Sequence, residues 1–90
     1  MKLSKRKSIS DEFEFDGIKN ILIVGGKGKV FIERSIMGSK FYPLSHNGVF
    51  ELNGSCAYNG TIQELGSRAT YRIRVELEDG SKPVEVFISR

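Results

Sequence analysis

From Thr70 to Ile88 apolar and polar residues take turns. Tyr71, Ile73, Val75 and Leu77 interleave with Arg72, Arg74, Glu76 and Glu78, and after Asp79-Gly80 the alternation resumes with Val84, Val86 and Ile88. A pleated strand with this pattern carries its apolar groups on one face and its charges on the other. The short polar segment between the runs predicts a hairpin, and so a half-buried antiparallel sheet that needs a second layer.

The same reading extends toward the N-terminus. Phe13 and Phe15 alternate with Glu12, Glu14 and Asp16, which predicts a first strand over 9–16 with a turn at Asp16-Gly17. Asn20 to Val24 is an apolar run too short for a helix, a strand buried on both faces or placed at a tight corner. Gly25-Gly26-Lys27-Gly28 then predicts a turn, with Lys29 to Ser35 completing a second hairpin. Phe41 to Leu44 is a short strand whose Pro43 belongs at a sheet edge, because proline has no N–H to give to a ladder. Asn47-Gly48, Asn53-Gly54 and Asn59-Gly60 are turn dipeptides, with strands over 48–52 and 56–64 between them. No helical period occurs anywhere.

Together these elements predict an all-β chain, a small antiparallel β-sandwich of about seven to eight short strands. Its expected core is Phe13, Phe15, Ile21, Ile23, Val30, Ile32, Phe50, Leu52, Tyr71, Ile73, Val75, Val84, Val86 and Ile88. Residues 1–10 are rich in Lys, Arg and Ser with only Leu3 and Ile9 to bury. They are expected to form a flexible basic N-terminal arm, with a single domain over 11–90.

Composition changes this picture in two places. The formal charge of +3 suggests nucleic acid until it is located: Lys2, Lys5, Arg6 and Lys7 supply four of the 14 basic residues, and the remaining ten face 11 acidic ones. The body is close to neutral, which argues against direct nucleic-acid binding and places the contact with an acidic partner on the arm. A single cysteine, Cys56, excludes an internal disulfide, and Cys56 with the one histidine, His46, cannot complete a four-ligand zinc site. The basic start is not followed by the apolar run of a signal peptide, and no window reaches the length of a membrane span.

Candidate chemistry is sparse. Val24-Gly-Gly-Lys-Gly-Lys29 has the wrong glycine spacing for a phosphate-binding loop, lacks the Ser or Thr after the lysine, and precedes a strand where such a loop precedes a helix. Asn53-Gly-Ser55 and Asn59-Gly-Thr61 match the glycosylation acceptor pattern but read as turns. His46 has no nucleophile or orienting acid in its neighbourhood, and Cys56 reads as a small buried hydrophobe. No catalytic, cofactor-binding or metal-ligating set emerges. Arg68, Arg72 and Arg74 line the polar face of the strongest strand as a surface for contact, set against the plainer reading of a solvated face paired with cross-strand glutamates such as Glu85.

The order of elements carries a resemblance. An apolar strand, a Gly-rich turn, Val30-Phe31-Ile32-Glu33-Arg34-Ser35, Gly38, Phe41-Tyr42-Pro43-Leu44, a polar turn and a Gly-Val-Phe strand resemble the layout of small β-sandwich virion proteins of tailed bacteriophages. The closing Tyr71-Arg72-Ile73-Arg74 and Val84-Glu85-Val86 strands are similar to their ending. The chain departs from that pattern at Ile36-Met37-Gly38, where the usual acidic turn residue is missing, and at Phe41, where tryptophan is common. The resemblance spans roughly residues 20–90 and implies a non-enzymatic part of a phage particle. First among these is a capsid decoration protein that binds the major capsid protein, often as a homotrimer on the virion surface, and it brings no cofactor. Head-fibre, neck or tail-associated proteins, or a small module that binds a host factor or single-stranded nucleic acid, are the alternatives.

Overall fold

The computed structural model describes residues 1–35, 40–44 and 48–89, with backbone alone for residue 15 and for 65–68. The elements are β1 (Lys2–Leu3), β2 (Lys7–Ile9), β3 (Phe13–Val24), β4 (Lys27–Ser35), β5 (Tyr42–Pro43), β6 (Val49–Asn53), β7 (Cys56–Leu77) and β8 (Val84–Ser89), and none is helical. They form one antiparallel hydrogen-bonded path, β1-β8-β3-β7-β4-β5, with β2 added to β7 and β6 to β4. The path folds over on itself into the two layers of a small β-sandwich, as the alternation predicts.

Two fold lines create the layers. At the first, β3 passes through Gly25-Gly26 into β4 while β6 passes through Gly54-Ser55 into β7, the two arches running side by side in opposite directions. They are tied by Gly25 N–H to the Ser55 carbonyl at 3.0 Å and Gly54 N–H to the Gly26 carbonyl at 2.8 Å. Gly25 and Gly26 have φ of 86° and 72°, a left-handed bend that other residues resist. The 25–28 segment is therefore a sheet corner and not the predicted hairpin turn: β3 and β4 lie in different layers and never pair. At the second fold line the long β7 bends at 65–68, where its register with β3 shifts between Phe15 and Gly17. Residues 65–68 of β7 stand against the single Asp16 of β3, so Asp16-Gly17 lies inside β3 opposite an insertion in β7 and is no chain-reversing turn, with Gly17 at φ 104°.

Three further expectations are corrected. Asn59-Gly60 is not a turn, because Tyr58 to Thr61 pair residue by residue with Ile23 to Asn20 and hold β7 extended for 22 residues. β7 and β8 do not form a hairpin. Val75, for example, has Ser8 of β2 on one edge and Val30 of β4 on the other, so β7 has no edge left there, and the 78–83 loop carries the chain across to pair β8 with β3. Finally, the basic arm is part of the sheet. Lys2 and Leu3 pair with Glu85 and Val84, Lys7 to Ile9 pair with Glu76 to Arg74, and Ser10 exchanges hydrogen bonds with Ile73 through its N–H and its Oγ. The segment offers few apolar groups, which predicts a free arm, but backbone pairing needs none, and its Leu3 is buried.

The core matches the expected list where side chains are described. Ile21, Ile23, Val30, Ile32, Leu52, Tyr71, Ile73, Val75, Val84 and Val86 are buried, Phe13, Phe50 and Ile88 pack against them, and Leu3, Ile62, Ala69 and Leu77 complete the cluster. Each fully buried aliphatic side chain contributes about 1.5–3 kcal/mol. The Phe15 side chain lies outside the described set. Pro43 does sit at the end of the sheet path, where among the described residues β5 pairs with β4 alone.

Candidate interaction surfaces

The two layers place their outward residues on faces of opposite character. On the β7–β4 layer the strands bring charges into cross-strand rows. Lys7, Glu76, Lys29 and Glu51 stand in one register row, and Arg72 lies opposite Glu33 in another. Glu33 is the centre of this face: only 4% of its side chain is exposed, and it accepts Arg72 Nε–H at 2.7 Å and Arg74 Nε–H at 3.0 Å, one on each carboxylate oxygen. Each guanidinium also lies over an aromatic ring, Arg72 at 4.1 Å from the Phe41 centroid and Arg74 at 3.9 Å from that of Phe31. Arg74 donates further to Glu76 Oε2 at 2.7 Å. Burial acts to lower the Arg74 guanidinium, and the hydrogen bonds to Glu33 and then Glu76 outweigh it, so its net shift is upward.

This arrangement answers the question posed by Arg72 and Arg74. Two arginines and two glutamates cancel, and the ring faces that a nucleobase would stack on are already covered by guanidinium. Their acidic partner is Glu33 and not Glu85, because β4 rather than β8 lies next to β7. The Arg68 side chain lies outside the described residues, as does His46.

A second ionic cluster closes one end of the interior. Glu64 is 4% exposed and accepts Arg34 Nε–H at 2.5 Å, Arg34 Nη2–H at 3.1 Å and the Tyr71 hydroxyl at 2.6 Å. Arg34 and Tyr71 share a register row of β4 and β7, and both point inward. The hydrogen bond to Glu64 raises Arg34 above the ordinary guanidinium range. Burial, followed by Glu64, pushes the Tyr71 phenol up to about 12. Sequence reasoning missed this cluster. Arg34 stands at an inward position of β4, which marks it as paired, but its partner is remote in sequence.

On the β8–β3–β7 layer the outward rows are Glu85-Val24-Cys56, Phe87-Leu22-Asn59 and Ser89-Asn20-Thr61, followed by Ile18 opposite Gln63. Beyond Glu85 at one end these rows hold no charge. Phe87 is 49% and Ile18 54% exposed, with Leu22 and Val24 half-buried between neighbours. Cys56 is exposed on the rim of this patch, donating weakly to the Tyr58 carbonyl at 3.5 Å. A strand cysteine is more often a small buried hydrophobe, but the register slip between Ile23 and Val24 turns this one outward.

The first ten residues hold the remaining expected contacts. Lys2, Lys5, Arg6 and Lys7 are all exposed, and Arg6 reaches Asp79 at 3.2 Å while its backbone carbonyl accepts from Leu77 N–H. Among the described residues no three His, Cys, Asp or Glu side chains are grouped to hold a metal ion, and no helix is long and apolar enough to cross a membrane. Comparison with known protein families, with curated proteins and with solved structures finds no match.

Proposed function

We propose that this chain is a non-enzymatic structural protein of a bacteriophage particle, a capsid decoration protein that binds the major capsid lattice. The observation that carries the reading is the outer face of β8, β3 and β7, uncharged beyond Glu85 at one end, with Phe87 and Leu22 at its centre. An exposed apolar sheet face of this kind marks a surface that works by being covered. The opposite face supports the same division of labour, since its arginines Arg72 and Arg74 are already paired with Glu33 and Glu76 and it is suited to water. The resemblance of the sequence to small phage virion proteins suggests the kind of assembly. On a lattice, many weak contacts of one small chain combine into firm attachment through multivalency.

The test is sedimentation of particles from cells producing a tagged chain. The tag is expected to travel with intact particles at many copies per shell, and to leave them when Phe87→Ser and Leu22→Ser are combined. A tagged chain that stays wholly in the soluble fraction beside intact particles defeats the proposal. Salt-sensitive retention on single-stranded nucleic acid in place of particles favours a binding module instead.

A further inference from the structure

Between β1 and β2 the chain encloses a shallow hollow of ≈ 490 Å³, lined by Lys2, Leu3, Ser4, Lys5, Lys7, Ser8 and Ile9. Its lining has three lysines, two serines and no carboxylate. Among the described residues no acid lies within ion-pair distance of these lysines. Glu76, opposite Lys7 in register, is engaged by Arg74, and Glu85, opposite Lys2, makes no ion pair with it. Arg6 is turned out of the hollow toward Asp79. Ile9, 54% exposed on the rim, adds an apolar contact beside the charge.

We infer that this hollow is a docking site for an acidic segment of a partner protein, with carboxylates against Lys2, Lys5 and Lys7 and an apolar side chain against Ile9. Three lysines on the lining of one hollow that carries no carboxylate are complementary to a short run of Asp and Glu. Nucleic acid fits it less well. No aromatic ring lines the hollow for a base to stack on. The backbone ladders to β8 and β7 hold the main chain at Lys2 and at Lys7, on either side of the hollow, before the partner arrives, so little backbone ordering remains to be done on binding.

The inference stands whether or not the assembly is a capsid, and it is tested without particles. Backbone amide spectra of the labelled full-length chain are followed during addition of a synthetic blocked peptide of alternating Glu and Leu, with a short oligothymidylate and inorganic phosphate as parallel probes. Peptide-induced shifts are expected in residues 2–10. Lys5→Glu combined with Lys2→Gln should lower peptide affinity by about tenfold or more, whereas Arg6→Ala should leave it unchanged. Both changes are at exposed positions, and an unaltered spectrum elsewhere shows that the fold is kept. The inference is overturned if the peptide shifts map to Lys27 and Lys29 instead, if the lysine variant binds as well as the parent, or if oligothymidylate or phosphate binds more tightly than the peptide at equal salt.

Discussion

Replacing Tyr71 by phenylalanine removes one hydroxyl and, with it, a pH dependence that the parent fold has to show. The hydroxyl donates to Glu64 Oε1 at 2.6 Å inside the protein, where burial and then the adjacent carboxylate raise the phenol from 10.0 to about 12. Between those values the folded phenol keeps its proton and the unfolded one loses it. The native state then binds more protons than the unfolded state, so stability falls as pH rises through this window and is intact below it. The slope approaches about 1.4 kcal/mol per pH unit, and the whole interval is worth on the order of 2–3 kcal/mol. At neutral pH Tyr71→Phe costs about 1–2 kcal/mol for the lost hydrogen bond to a charged acceptor, at the low end because Arg34 still occupies the same oxygen. The two stabilities are therefore expected to converge above about pH 10 and to meet or cross by about pH 12. Lysine titration acts on both proteins and cancels in the comparison. Urea unfolding followed by circular dichroism across this range measures the gap, and ultraviolet difference absorbance reports the phenol directly. A gap that stays constant across the range, or a native Tyr71 that ionises at its ordinary value, refutes the reasoning.

Other consequences follow from single residues. Glu33→Ala leaves two partly buried guanidiniums facing each other and is expected to cost about 2–3 kcal/mol, less than a fully buried pair because both arginines touch water; a thermal melt that superimposes on the parent's would refute the role given to Glu33. At Gly28, φ is 136° and an added Cβ would lie 2.1 Å from the Glu76 carbonyl oxygen, whereas nothing stands near Gly54, so Gly28→Ala should cost well over the ~1–2 kcal/mol of Gly54→Ala in a denaturant titration, and equal losses would contradict the close approach. Leu3→Ala should lower stability by about 2 kcal/mol, and the same midpoint as the parent would show that the first strand is not held in the sheet. The exposed Cys56 thiol should react with a thiol reagent in the native protein without a lag for unfolding; protection until denaturant is added would place it inside.

Alternation in the chain was enough to determine the all-β class, most of the core and the edge position of Pro43. These depend on which way each side chain points, and a period of two fixes that wherever one face must be dry. The same local signal could not determine which strands are neighbours. It predicted a β7–β8 hairpin and a free basic arm, and both failed for one reason: the edge that β8 would have taken is filled by the arm, through backbone groups that every sequence possesses. Likewise Asn59-Gly60 has the chemistry of a turn, but a ladder to β3 on both sides of it keeps the chain straight. The surfaces divide along the same line. Exposed lysines and arginines could be named from the sequence, but only the fold decided which were already spent, pairing Arg72 and Arg74 with Glu33, Arg34 with Glu64 and Arg6 with Asp79, and leaving Lys2, Lys5 and Lys7 around a hollow. Charge pairing depends on distance through space, and residues as far apart as Glu33 and Arg74 become neighbours only once β4 pairs with β7.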